Sequence, residues 1–389
     1  MTDRREFLIR SMGFGLAAGL LPRSTWADAP TPADASDRFF AGPIRRFENT
    51  LDEADLKSLR QKERQYVRAK VTDDEKTYSG VGIHLKGAAG SFRRFDDKPA
   101  LTLNFDKFAA GQRYHGIDKL HLNNSVQDAT YLTEIICGGM FLAAGVPAAR
   151  GTHALVELQG RKRGLYVLKE GFDKTFLKHH FKNTTGNLYD GGFVTDIDRP
   201  VRKSTSGGPA AEQPELKTVA AACREPDLAK RAEKLDKLVD VDRFLSLVAL
   251  EVMTWHWDGY AMHANNYRVY HDPDSGKITI FPHGMDQMFG SEGGSLAPPS
   301  GGLIARRMFQ MPEYRDRYFA RLTELRRTVF VPDRLDDRVD ELVTRLTTVL
   351  EPTDANLSRN VAANAKHLKG RMRRRADSID KQLAARVKP

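Results

Sequence analysis

The sequence predicts an α+β protein, β-rich up to about Gly171 and mainly helical beyond it. Runs of β-branched and aromatic residues recur at Tyr66–Val71, Gly80–Leu85 and Ala100–Phe105, then at His153–Leu158 and Leu165–Leu168. From Leu228 onward the apolar residues fall at helical spacing, most plainly on the stripe Leu335, Val339, Leu342, Leu346 and Val349. Between the two parts, from Asp173, lies a loop-rich connector containing KTFLKHHF and NLYDGGF.

A chain of 389 residues can bury one large core or two smaller ones. Its 61 Lys and Arg against 51 Asp and Glu leave a net charge of +10, which favours an anionic partner. Basic and aromatic residues do not interleave and no zinc-finger spacing occurs, so nucleic acid is not expected to be that partner. With only Cys137 and Cys223 and no CxxC, metal-thiolate and dithiol chemistry are not expected, though one disulfide is allowed. No apolar run is long enough for a stable membrane span.

Residues 1–29 read as a twin-arginine signal peptide. Arg4 and Arg5 precede Phe7 and Leu8, an apolar core runs from Met12 to Leu21, and small residues follow at Ala27 and Ala29. The expected location is therefore periplasmic or extracellular. Residues 30–65 read as an exposed linker, and the β-rich part occupies 66–171. Within it, Lys86-Gly87-Ala88-Ala89-Gly90-Ser91 is a small-residue loop after a strand, flanked by Arg93, Arg94 and Lys98. Small residues let backbone N–H groups approach a phosphate, although a basic-flanked exposed turn has the same appearance. Asp128 is expected to cap a helix that carries Glu134 in its first turns and ends near Gly145. A hairpin around QGRKRG then leads out to Lys169-Glu170. In the part spanning 172–389, residues 199–217 read as a mobile polar insertion. Val241–Trp255 is a buried helix, residues 291–302 form a flexible lid-like loop, and the Arg-rich run from Arg371 to Arg375 is a solvated face.

The stretch from Trp255 to Gly290 organises the rest. Asn266–Tyr270 and Lys277–Phe281 form two strands joined by the turn HDPDSG. A hairpin brings the start of its first strand and the end of its second to one place. Asp258, Asn265, Asn266 and Asp286 should therefore converge, although any one Asp alone would suit a solvated loop. Acidic and amide oxygens together suit a hard cation such as Mg²⁺ holding a phosphorylated ligand. A rival reading gathers His256, His263, His271 and His283 around a transition metal, but no HxxxH or HxH spacing supports it.

The ordered set HLKGAAGS…DKPALTLNF, HLNNSVQD, GLYVLKEGFDKTFL, an Asp before an N-N-Y strand, and HGMDQMFG resembles the CotH kinase family over roughly residues 78–292. The resemblance implies a two-lobed, atypical protein-kinase-like fold with a β-rich amino lobe and a mainly helical carboxy lobe. It implies ATP and Mg²⁺ (or Mn²⁺) as cofactors, Asp258 as the catalytic Asp, and Asn266 (or else Asn265) and Asp286 as metal ligands. Lys98, or else Lys86, would meet the α/β-phosphates with Glu134 as partner, and Gly87, Ser91 and Glu170 would belong to the same nucleotide site. The implied activity is phosphoryl transfer to a hydroxyl of an exported protein or envelope component. Alternatives are a catalytically silent surface or coat-like binding protein, and transfer of AMP on the same fold. The loop GAAGS lacks the multi-Gly spacing of ordinary kinases, and Gly284 stands where a bulkier residue is expected beside the metal Asp.

Overall fold

The computed structural model describes residues 35–74, 76–88, 90–203 and 213–387; the expected leader over 1–29 and the centre of the 199–217 insertion lie outside them. Seven strands close into a barrel: β1 (Arg45–Thr50), β2 (Val67–Thr72), β3 (Thr77–Lys86), β4 (Ala100–Asn104), β5 (Lys119–Asn123), β6 (Gly151–Leu158) and β7 (Arg161–Glu170). Their order is β1-β2-β3-β4-β5-β7-β6, and β1 closes the ring by pairing parallel to β6, Arg45 opposite Ala154. Alternation puts Val67, Ala69 and Val71 inside while Arg68 and Lys70 stay outside. The interior is aromatic: the Tyr114 ring lies 5.0–5.4 Å from those of Phe39, Phe47, Tyr78 and Phe105. Each such side chain contributes roughly 1.5–3 kcal/mol by leaving water.

Closure of the barrel corrects the reading of residues 30–65 as an exposed linker. Helix α1 (Ala35–Ala41) buries Phe39 and Phe40, β1 buries Phe47, and α2 (Glu53–Gln61) buries Leu59. Six-residue β1 and its Arg45-Arg46 start disguise a strand that the barrel cannot do without.

Helix α3 (Thr133–Ala143) packs on the barrel and ends before Gly145, whose φ of +77° suits glycine. It starts later than expected. Asp128 is not its cap residue; instead its carboxylate accepts from Thr130 N and from Thr133 N at 2.9 and 3.0 Å, bracing the turn ahead of the helix.

After β7 the chain builds a second core, which also takes in α3. Helix α4 (Lys174–His180), β8 (Leu188–Asp190) and β9 (Arg202–Lys203) come first, then α5 (Pro214–Cys223), α6 (Leu228–Leu238), α7 (Val241–Met253) and α8 (Tyr260–His263). The hairpin β10 (Tyr267–Asp272) and β11 (Lys277–Pro282) joins β8 and β9 in a sheet ordered β11-β10-β8-β9. Helices α9 (Leu303–Met308), α10 (Pro312–Thr328), α11 (Pro332–Leu350) and α12 (Ala355–Val387) close the chain. Residues 213–217 belong to α5 or its cap, so the insertion is shorter than expected. Cys137 and Cys223 are both buried free thiols, and the allowed disulfide is absent.

The basic run of α12 is not wholly a solvated face. Arg375 is fully buried; its guanidinium donates to the carbonyls of Val252 and Met253, at 2.8 and 3.1 Å, and to those of Glu292 and Gly294. The first two are C-terminal carbonyls of α7, which its own helix cannot satisfy. The other two lie in the loop expected to be a flexible lid. That loop is pinned further: Tyr318 OH donates to Leu296 O and Gln382 Nε2 to Gly294 O.

Arg375→Leu should therefore lower stability by about 3–5 kcal/mol, because Met253 O and Glu292 O lose their donor and Val252 O and Gly294 O lose one of two. Arg371→Ala, on a partly exposed neighbour, should change it by about 0.5 kcal/mol or less. Urea unfolding of the two variants checks the contrast.

Candidate active site

Asp258 follows directly from α7, a helix buried on nearly all sides. Two devices hold the turn that carries it. Glu251, fully buried, accepts from Tyr260 N at 2.9 Å and Ala261 N at 2.8 Å, filling the donors that open α8. Gly259 permits this, since a Cβ there would lie 2.6 Å from the Glu251 carboxyl. Burial pushes Glu251 up to about 8, the two N–H donors offsetting only part of that cost. Asp258 itself is gripped from both sides: Oδ1 accepts from Asn265 Nδ2 and Oδ2 from Asn266 Nδ2, each at 2.7 Å.

The hairpin then carries the chain from Asn266 to Asp286. Tyr267 pairs with Pro282, and His283 N donates to Asn266 O at 2.8 Å, so both ends of the hairpin meet. Asn266 lies just before the strand rather than in it, at φ +46°, a conformation Asn tolerates better than most residues. Gly284 now has a reason. A Cβ at this position would sit 2.7 Å from Asn266 Oδ1, so only glycine lets the carboxamide lie against the loop leading to Asp286. Behind this loop, His256 Nε2 donates to Gly284 O at 3.2 Å, joining the Asp258 turn to the Asp286 loop. Of nine non-glycine residues at positive φ among the described residues, Trp255, Ala264, Asn266 and Phe289 fall in this one stretch, a concentration of strain typical of functional sites.

Across from the hairpin, Glu134 in the first turn of α3 forms a buried ion pair with Lys169 of β7. Its other oxygen accepts from Met285 N at 3.2 Å and Asn123 Nδ2 at 3.4 Å. Burial alone would raise the Glu134 carboxyl, but the Lys169 charge and the hydrogen bonds hold it below the usual range. Lys86 donates to Asn123 Oδ1, one step from the pair. Burial, then the neighbouring Lys169, pulls Lys86 down to about 8. Asp286 lies next to Met285; burial and the Glu134 charge push its carboxyl up to about 6. Its side chain lines a cavity of about 640 Å³ together with Gln127, Trp255, Trp257, Gln287 and Arg371.

Several expected assignments change. The cation on Glu134 is Lys169, not Lys98 or Lys86. Lys98 Nζ instead donates to Tyr131 OH at 2.7 Å and lies over the rings of Tyr131 and Tyr166. Glu170 does not face the Lys169 side: adjacent strand residues point to opposite faces. It is clamped by Arg150 through bonds of 3.0 and 2.7 Å. In the small-residue loop Gly87 takes φ +106°, and Ser91 Oγ accepts from Ala88 N at 3.1 Å, so the loop closes on itself. Asn124 Nδ2 ties it down by donating to Ser91 O and Lys98 O. The four histidines disperse: besides His256, His263 donates to Trp257 O, His271 lies beside Glu215, and His283 packs on Phe172. Among the described residues no group of three or more His, Cys, Asp or Glu gathers to hold a metal. Asp286 and Asn266 offer carboxylate and carboxamide oxygens, the donor type that Mg²⁺ and Mn²⁺ take one or two at a time.

A buried Lys–Glu pair bonded to the loop before Asp286, and Asp258 held between two asparagines, are thus the two fixed features of the site. The chain belongs to the CotH kinase protein family, whose model matches residues 83–379. It is 21% identical to the inner spore coat protein H of Bacillus subtilis, over 61% of this chain and 70% of that protein. It is also 26% identical to the invasin CotH3 of Rhizopus delemar over 46% of this chain, spanning only 32% of the invasin. Among solved structures, the proinflammatory kinase CtkA of Helicobacter pylori aligns over 77% of this chain and 96% of its own, at 8% identity and a TM-score of 0.38. The HipA toxin–antitoxin complex of Shewanella oneidensis aligns over 77% and 67%, at 16% identity and a TM-score of 0.36. No helix among the described residues is long and apolar enough to cross a membrane.

Glu251 sets a pH dependence. Its folded value of about 8 stands above the ordinary 4.5, so its contribution to stability is complete below about pH 4.5 and is lost as pH rises through about 8. Glu251→Gln should flatten that decline. Urea midpoints of both proteins between about pH 5 and about pH 9 measure it.

Proposed function

We propose that this protein transfers the γ-phosphoryl group of ATP to a hydroxyl of an exported protein or envelope component, with Mg²⁺ or Mn²⁺. One observation carries the reading: the run of bonds from Lys169 through Glu134 to Met285 N, one residue from Asp286. Phosphoryl transfer needs little beyond in-line positioning and neutralised phosphate charge, and this run fixes a cation and a metal-binding carboxylate in one frame.

In this reading Lys169, with Lys86 beside it, holds the α/β-phosphates. Asn266 and Asp286 are the residues that would hold Mg²⁺, which when bound neutralises charge on the phosphate oxygens. Asp258, oriented by Asn265 and Asn266, receives the proton of the acceptor hydroxyl. The acceptor oxygen bonds to the γ-phosphorus as the bond to the β–γ bridging oxygen breaks, and ADP leaves. The Arg4-Arg5 leader supports a setting outside the cytoplasm. The relatives, a spore coat protein and an invasin by name, support a surface or extracellular one.

ATP radiolabelled at the γ-phosphate should label the protein itself or a hydroxyl acceptor, and ATP labelled at the α-phosphate should not. Asp258→Asn should reduce transfer by about 10²–10⁴-fold while nucleotide binding persists. Label from the α-phosphate would establish AMP transfer instead. No label from either position, in folded protein, would leave a surface-binding role.

A further inference from the structure

Five large hydrophobic side chains are exposed among the described residues, and three of them, Phe193, Val194 and Trp257, lie on segments joined directly or through Asn265 to Asp258. Scattered single exposures need no explanation, but this concentration beside one carboxylate does. Trp257 immediately precedes Asp258, and its indole N–H donates to Gln287 at 3.2 Å. Phe193 and Val194 are distant in sequence and reach the site through one short path. Val194 N donates to Asn265 Oδ1 at 3.1 Å, and the same carboxamide grips Asp258.

The segment that carries them is costly to hold in place. Val194 sits at φ +46°, a region a β-branched residue rarely enters. Its neighbours keep it there: Tyr267 OH donates to Thr195 O at 2.7 Å, and Tyr260 OH and Leu303 N both donate to Asp196. The result is a fixed turn whose two central side chains are 64% and 52% exposed. Strain maintained in order to expose two apolar side chains beside a catalytic group calls for a functional reason.

Resting on the phosphotransferase reading above, we propose that Phe193 and Val194 determine acceptor specificity. They form a seat for an apolar side chain that flanks the accepting Ser or Thr of a polypeptide. A polypeptide fits better than a glycan because several polar groups of the segment are already turned to protein partners. Gly192 N donates to Asp190, Val194 N to Asn265, and Thr195 Oγ1 to Phe193 O. The two exposed side chains are hydrocarbon, which gains by covering a leucine or phenylalanine and gives a sugar hydroxyl no side-chain partner.

The test uses Ser- and Thr-centred peptides whose flanking residue is Ala, Lys, Leu or Phe, with soluble peptidoglycan fragments alongside and γ-labelled ATP as donor. The wild-type protein should prefer Leu or Phe over Ala by about tenfold in kcat/KM, the scale of one buried apolar side chain. The double variant Phe193→Ser/Val194→Gly, which also relieves the strained backbone, should bring that ratio close to one. It should leave turnover of the Ala-flanked peptide unchanged without lowering the thermal midpoint, and Phe193→Leu should keep most of the preference. An equal preference in both proteins, or transfer confined to the glycan fragments, overturns the inference and leaves phosphoryl transfer standing. No nucleotide turnover by the wild-type protein overturns both.

Discussion

The arrangement depends on one buried carboxylate. Glu134 and Lys169 are almost wholly removed from water, where an isolated charge of either sign would be very costly. The pair persists because each charge meets the other, and because the Met285 N–H and the Asn123 amide fill the second Glu134 oxygen. A buried pair of this kind is weak evidence of stability, since an apolar pair could pack as well. Its value is in specification. Lys169 belongs to the barrel, Glu134 to α3 and Met285 to the loop after the hairpin, so all three must be in register before any one is satisfied. Loss of either partner would strand the other charge in the core.

The same logic recurs on the other side of the cleft, with Glu251 in place of Glu134. One buried acid holds the loop before Asp286, and the other holds the turn bearing Asp258. His256 joins the two through Gly284 O. Arg375 anchors the end of α7 from which that turn departs. The exposed functional groups are thus few, and most of the machinery consists of buried polar side chains with fixed partners. Lys86 at about 8 and Asp286 at about 6 sit nearer neutrality than ordinary Lys and Asp, because each is buried beside a like charge. An anionic ligand near Lys86 and a cation on Asp286 would each further stabilise the charged form.

How much of this was legible from sequence varied with the physics. The hairpin was legible because Tyr, Val, Ile and Phe on either side of HDPDSG leave few alternatives, and hairpin geometry alone implies that its ends meet. The helix bearing Glu134 was legible from its apolar spacing. Lys169 was not. Lys169-Glu170 is one strand dipeptide, and which of two adjacent charges faces the site depends on a register no local pattern reveals. Glu251 was hidden inside an apolar run, and Arg375 inside a basic one; each differs from its neighbours only in what tertiary packing places opposite it. His256 left a fainter signal, the His-Trp-Asp spacing that parallels the His-Arg-Asp of kinase catalytic loops. Residues 35–65 were misread because β1 is short and begins with two arginines, so that only closure of the barrel makes it a strand.

On the proposed reading, the Lys169–Glu134 pair and Asp286 belong to one metal-dependent nucleotide site. Calorimetric titration of ATP into the purified protein, with and without Mg²⁺, tests it most directly. The account predicts saturable binding that requires Mg²⁺ and disappears in Asp286→Ala, with the circular dichroism of the variant unchanged. A folded wild-type protein that binds no ATP with either Mg²⁺ or Mn²⁺, or binds it equally well without Asp286, would contradict it.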